Sequence, residues 1–196
     1  KELKKIVSLP LTQILQLQLR LYISRNDVEK IAATTIKVKD FYFSEMKNAN
    51  SVFNIEKFPN LRNNDSNIKD SVDRDVSTIL SFSKEPMETS LTILDEKHSI
   101  VSRRMFKYVL GYMGDRHFTH PITVAVEVIQ TAYLHSQLRD ELFLQIVKQL
   151  KRNPSTISLK RGHALLFATL KMFPPSEHLE NYLEIFLRKQ KLNRIL

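Results

Sequence analysis

The chain contains no cysteine and no tryptophan, and only three glycines. Without cysteine there are no disulfides, no thiol nucleophile and no thiolate metal site. The glycines, Gly111, Gly114 and Gly162, stand apart. Phosphate-cradling loops need clustered glycines so that backbone N–H groups can approach the anion, so a nucleotide-binding reading has almost nothing behind it. No apolar run approaches the roughly 20 residues needed to span a bilayer. Residues 1–8 are charged and lack the apolar core and cleavage site of a signal peptide. The chain does not begin with Met, which fits a piece of a longer protein. These features are compatible with a cytoplasmic home.

What is present suits a folded domain. Of the 196 residues, 42% are hydrophobic and 26% charged, a globular rather than disordered balance. The net charge is +9, and it is unevenly placed. Residues 1–100 carry 15 Lys and Arg against 14 Asp and Glu; residues 101–196 carry 15 against 7. A +8 half favours an acidic partner: nucleic acid, an anionic membrane surface or acidic protein tails. Simple solubility is the plain alternative.

The first fifty residues read ambiguously. Pro10 to Ile23 suits a helix through its Leu, Gln and Arg content, although the alternation of Leu15, Leu17, Leu19 and Leu21 also suits a strand. A second helix could be capped by Asn26 or Asp27. Residues 1–59 are therefore an N-terminal extension, and the polar, Asn- and Asp-rich stretch over 60–75 is a loop or linker. From Val76 the spacing is helical. A short helix runs to Phe82, capped by Asp75 or Ser77, and Pro86 breaks the chain. The spacing predicts helices over Ser99–Tyr112, over Pro121–Leu134 with Thr119 as cap, and over Gln137–Arg152 with Ser136 as cap. Two more run from Ser158 to Met172 and onward from Ser176. The nearly polar-free start of the Pro121–Leu134 helix predicts that it is central. Short connections make residues 76–196 a compact all-α helical bundle.

Catalytic constellations are thin. Asp115, His117, His120 and His135 could supply metal ligands, but no H-E-x-x-H frame fixes them, and capping or surface histidines are the plain reading. No serine stands in G-x-S-x-G. Asp140 and Glu141 are adjacent on a helix, about 100° apart, and do not face one substrate; ion pairs with Arg139, Arg161 or Arg116 are the structural reading. A helical GTPase-activating domain needs one positioned arginine, yet no Gly precedes a Phe-Arg pair as in Rho-type finger loops. The chain is read as non-enzymatic and without a cofactor. Lys148, Lys151, Arg152, Lys160 and Arg161 flank one inter-helix turn and are candidates for a basic patch. No aromatics interleave with them, and no helix face is basic enough for a DNA reader, so nucleic acid is set aside.

Several stretches carry a resemblance. FKYVLGYMGDR from Phe106, LRDELFLQIVKQLKRNP from Leu138, SLKRG from Ser158, FPPS from Phe173 and YLEIFLR from Tyr182 resemble the MyTH4 (myosin tail homology 4) domain over about 110 residues. SFSKEPMETSLTIL, from Ser81 to Leu94, looks like the segment leading into such domains. The resemblance implies a non-catalytic module of the kind found in myosin tails, plant kinesins and some Rho GTPase-activating proteins. Several such domains bind microtubules through basic surface residues, and others dock cargo or signalling proteins. SVFNIEKF, Ser51 to Phe58, resembles the lead-in of MyTH4–RhoGAP proteins of the Vilse type. Two features depart from the family: His163 stands where Trp is usual, and the chain ends where another helix usually follows, so the bundle is expected to be truncated. The resemblance implies a structural set, Gly114, Asp115, Arg116, Arg139, Asp140, Glu141 and Gly162. The partner-binding set is Lys148, Lys151, Arg152, Lys160, Arg161, Lys189 and Lys191. Together these give a cytoskeletal docking domain whose expected partner is an acidic surface, tubulin tails first. A scaffold domain that ignores microtubules is the alternative, and an anionic membrane surface is a weaker fit.

Overall fold

The computed structural model describes residues 52–62 and 76–192. The helices expected over 10–23 and from Asn26 or Asp27, and residues 63–75 of the expected loop, lie outside the described residues.

The described part is helical, and its helix ends follow local chemistry. Helix α1 spans Val76–Ile79, one turn shorter than expected. Helix α2, Glu96–Met113, starts earlier than the spacing suggests because Asp95 is its cap: the carboxylate accepts from the His98 N–H at 2.8 Å. It stops at Gly114, whose φ of 84° is costly for residues with a Cβ. Helix α3, Pro121–Leu134, has the expected bounds but no side-chain cap; Thr119 does not serve, and Pro121 needs no acceptor for an N–H it lacks. Ser136 does not cap a long helix either. Ser136–Leu138 form a 3-10 turn, and helix α4 spans Arg139–Leu150. Helix α5, Thr156–Met172, is capped by Ser155, leaving Ser158 inside the first turn and buried. Helix α6 spans Glu177–Leu192, and Ser176 Oγ accepts from the Leu179 N–H at 3.3 Å, as its position predicts.

The centre of the bundle is α4 rather than α3. All ten residues from Glu141 to Leu150 are buried, whereas α3 buries six of its fourteen. Polarity misleads here because Glu141, Gln145, Lys148 and Gln149 find their partners inside the fold. Leu142, Phe143, Ile146 and Val147 are fully enclosed, each contributing on the order of 2 kcal/mol of burial.

The core also extends further back along the chain than the expected start of the bundle at residue 76. Ile55, Phe58 and Leu61 belong to the same apolar cluster as Val109, Phe143 and Leu183. Phe53 and Phe58 both present edges to the Tyr182 ring, at 5.4 and 5.5 Å between centroids. Arg62 N–H donates to Leu91 O and Ile93 N–H to Asn60 O, an isolated antiparallel bridge pinning this segment to the one before α2.

Candidate docking surface

The structural set divides by partner. Glu141 is fully buried and makes no ion pair among the described residues; its partners are neutral. One oxygen accepts from Leu91 N–H, Ser102 Oγ and Gln145 Nε2, at 3.0, 2.6 and 3.0 Å. The other accepts from the Thr92 N–H at 2.7 Å and the Thr92 hydroxyl at 2.6 Å. The expected pairing with arginines is thus corrected: the carboxyl group ties the segment before α2 to α2 and α4. Asp140 turns elsewhere, as adjacent helical positions must. Its oxygens accept from Ser176 N–H at 2.9 Å and Ser176 Oγ at 2.5 Å, holding the entry to α6. Arg139 lies over the Phe173 ring at 5.3 Å and donates to Tyr133 O at 3.1 Å. A Cβ on Gly162 would meet Met113 Cε at 2.6 Å and Leu150 Cδ2 at 2.8 Å, so glycine lets α5 approach α2 and α4. His163 is buried, and its Nδ1 lies 2.7 Å from Leu159 O, so a ring with a local polar partner fills that position.

The basic set also divides, and one member is corrected. Lys148 is 7% exposed, and its ammonium donates to Ile79 O at 2.6 Å and Ser81 O at 2.7 Å. Burial pushes its pKa from 10.5 down to about 8. It is an internal strut that holds the segment after α1, with Gln149 adding a bond to Ser83 O, and it offers no charge to a partner. Lys151 is half-buried and pairs with Glu56. Lys189 is half-buried on α6, a different element, and the Lys191 side chain lies outside the described residues.

Arg152, Lys160 and Arg161 are exposed, and so is Arg116, which the resemblance placed among structural residues. They lie on or beside two turns that are joined to each other. The Ser158 hydroxyl donates to Asp115 Oδ2 at 2.7 Å and accepts from Asn153 Nδ2 at 2.8 Å, which stitches the α2–α3 turn to the α4–α5 turn. The Arg161 guanidinium reaches the same place: a Cβ on Gly114 would sit 2.6 Å from its Nη1. Arg152 leaves α4 with φ at 57°, in the left-handed region where helices commonly end. The acid in this neighbourhood, Asp115, is occupied by Ser158. None of the four cations forms an ion pair among the described residues. Ile157, 67% exposed, stands one helical turn before Lys160 and Arg161.

Sequence reasoning missed a second basic feature. Lys97, Arg104 and Lys107 are exposed on α2, and their spacing puts them on one stripe of the helix, beside the one that carries Met105, Val109 and Tyr112. The signal was present in the same periodicity that defined the apolar face. Metal binding finds no frame: among the described residues, no group of three or more His, Asp or Glu side chains could hold an ion. His117 and His120 are exposed, and the His135 ring packs on His98 with centroids 5.8 Å apart. No helix among the described residues is long and apolar enough to cross a membrane.

Comparison with known proteins agrees with this architecture. The profile of the MyTH4 domain matches residues 125–194. The high molecular weight form of myosin-1 from Acanthamoeba castellanii is 33% identical over 189 residues, 95% of this chain and 12% of that protein. Kinesin-like protein KIN-14I from Oryza sativa is 35% identical over 116 residues, 56% of this chain and 9% of that protein. The chain thus spans about a tenth of the length of these relatives. Among solved structures, the Dictyostelium discoideum myosin VII MyTH4-FERM MF2 domain superposes with a TM-score of 0.56 at 27% identity, covering 62% of this chain and 24% of that one. The human myosin 7b C-terminal MyTH4-FERM domain, solved in complex with the harmonin-a PDZ3 domain, gives 0.53 at 30% identity, covering 57% and 25%. The chain carries a MyTH4 domain, homologous to the MyTH4 regions of myosins and kinesins.

Proposed function

We propose that this domain is a non-catalytic docking module of a larger cytoskeletal protein, and that it engages acidic protein surfaces, tubulin tails first, through the joined α2–α3 and α4–α5 turns. The observation that carries the reading is that the turns bearing the exposed Arg116 and Arg152 are joined by the Ser158–Asp115 bond beside the start of α5, where Lys160 and Arg161 are also exposed, and none of the four is in an ion pair among the described residues. Arginine suits this work because its planar fork meets carboxylates in two places at once. The attraction acts at the surface, so it speeds encounter, is modest in strength and weakens with salt. The relatives are named as myosins and kinesins, which favours a motor tail over a Rho GTPase-activating protein as the parent.

The test is co-sedimentation with microtubules across a salt series. The wild type is compared with a variant carrying Arg116→Glu, Arg152→Glu, Lys160→Glu and Arg161→Glu, and with Lys107→Glu as a control on α2. Binding at low salt that falls with added salt and vanishes in the fourfold variant but not the control is the expected result. Absence of binding at low salt, or equal loss in the control, rejects this surface. Vesicles of anionic lipid serve as a parallel arm: binding to them alone assigns the surface to membranes.

A further inference from the structure

The α4–α5 turn carries a pattern that docking alone does not use. Its sequence is Lys151-Arg152-Asn153-Pro154-Ser155, with two cations four and three residues ahead of a hydroxyl. Kinases that prefer basic substrates read this arrangement, because carboxylates in their substrate grooves pair with cations upstream of the acceptor. The turn is presented at the surface: Arg152, Pro154 and Thr156 are exposed, and Ser155 is half-buried. The Ser155 hydroxyl oxygen accepts from the Ser158 N–H at 3.2 Å, and its own proton is donated to no acceptor among the described residues. Of the two upstream cations, Lys151 is turned toward Glu56, so Arg152 is the one free to be read.

We propose that Ser155 is a phosphorylation site for a basic-directed protein kinase, and that the phosphate switches off docking of acidic partners at this end of the bundle. In the transfer, Ser155 Oγ bonds to the γ-phosphorus of ATP while the bond to the β,γ-bridging oxygen breaks. ADP leaves, and the hydroxyl proton passes to the kinase's base. The phosphate brings a charge of about −1.5 to −2 into the neighbourhood of Arg116, Arg152, Lys160 and Arg161, cancelling close to half of their sum. The fold accommodates it, since phosphate oxygens can accept from the Ser158 N–H as the hydroxyl does now. The switch rests on the docking reading above; the modification site does not.

The experiment treats the full chain with the catalytic subunit of cAMP-dependent protein kinase and Mg-ATP, then maps phosphate by mass spectrometry. Ser155→Ala, Ser155→Thr and Arg152→Gln run alongside, with circular dichroism to confirm that each is folded. One phosphate on Ser155, retained in Ser155→Thr, lost in Ser155→Ala and slowed in Arg152→Gln, is the expected result. Phosphate placed elsewhere, or the same stoichiometry in Ser155→Ala, overturns the site. Binding to a fluorescent poly-glutamate peptide at low salt is then compared before and after phosphorylation, with a loss of roughly tenfold expected. Unchanged affinity overturns the switch. If the unmodified protein fails to bind poly-glutamate, the docking reading falls and the switch with it, while the mapped phosphate still decides the site.

Discussion

Replacing Glu141 with alanine should remove a large share of the domain's stability, although the sequence by itself suggests no more for this residue than an ion pair with an arginine. Its carboxyl group accepts five hydrogen bonds in a fully buried position. The hydroxyls of Thr92 and Ser102 can rotate toward other acceptors, and Gln145 Nε2 keeps its bonds to Ser102 O and Oγ. The Leu91 and Thr92 N–H groups have no such freedom. Each orphaned buried donor costs about 1–3 kcal/mol. The void left by the side chain adds to this, so Glu141→Ala should lose about 3–5 kcal/mol. That is a large share of the roughly 5–15 kcal/mol that holds a typical domain together. Glu141→Gln keeps the volume but turns an N–H₂ toward donors, and should cost about 1–3 kcal/mol. Urea titration supplies the free energies, and native-state hydrogen exchange supplies the location. Protection at the Leu91 and Thr92 amides should fall first, because those amides lose their acceptor. A loss below about 1 kcal/mol for the alanine variant, or unchanged protection at both amides, would refute the reasoning.

Other residues give separate outcomes. The Lys148 pKa is lowered to about 8 in the fold against 10.5 for an ordinary lysine, so between those values the unfolded chain binds more protons than the folded one. Stability contributed through this residue should therefore rise as pH increases from 8 to 10.5, and urea midpoints of Lys148→Met should lack that rise. Burial raises the Tyr112 pKa to about 12, and its hydroxyl has no hydrogen-bond partner among the described residues. Tyr112→Phe should thus be neutral or raise stability by up to about 1 kcal/mol, read as a small increase in the melting temperature. Gly114→Ala must hold a Cβ at φ 84° and displace the Arg161 guanidinium. It should cost about 1 kcal/mol in thermal melts.

The sequence was a good guide where a helix has one wet face and one dry one. The stripe Met105, Val109 and Tyr112 located α2, and Pro121 and Ser176 marked the starts of α3 and α6. It was a poor guide to the polar residues of α4, where Gln145, Lys148 and Gln149 look like solvated positions and Glu141 looks like a partner for an arginine. Their partners are backbone and hydroxyl groups at residues 79–102, which no local periodicity reveals. Lys148 accordingly looked like part of a contact surface although its charge points inward. The same limit hid Ile55, Phe58 and Leu61: their segment is short, and it is helical for only one 3-10 turn, so its place in the core depends on the shape it meets. Arg152, Lys160 and Arg161 are exposed on either side of one short loop, as their separation in the chain allows. The α2–α3 turn, which carries Arg116, is tied to that region by a long-range bond between Ser158 and Asp115 that the sequence does not announce.

The central claim is that acidic tails meet the end of the bundle built by Arg116, Arg152, Lys160 and Arg161. The most direct measurement compares binding of the unmodified domain to intact microtubules and to microtubules whose acidic tails have been removed by limited proteolysis, at one low salt concentration. The account predicts strong co-sedimentation with the intact polymer and little with the stripped one. Equal binding to both would contradict it.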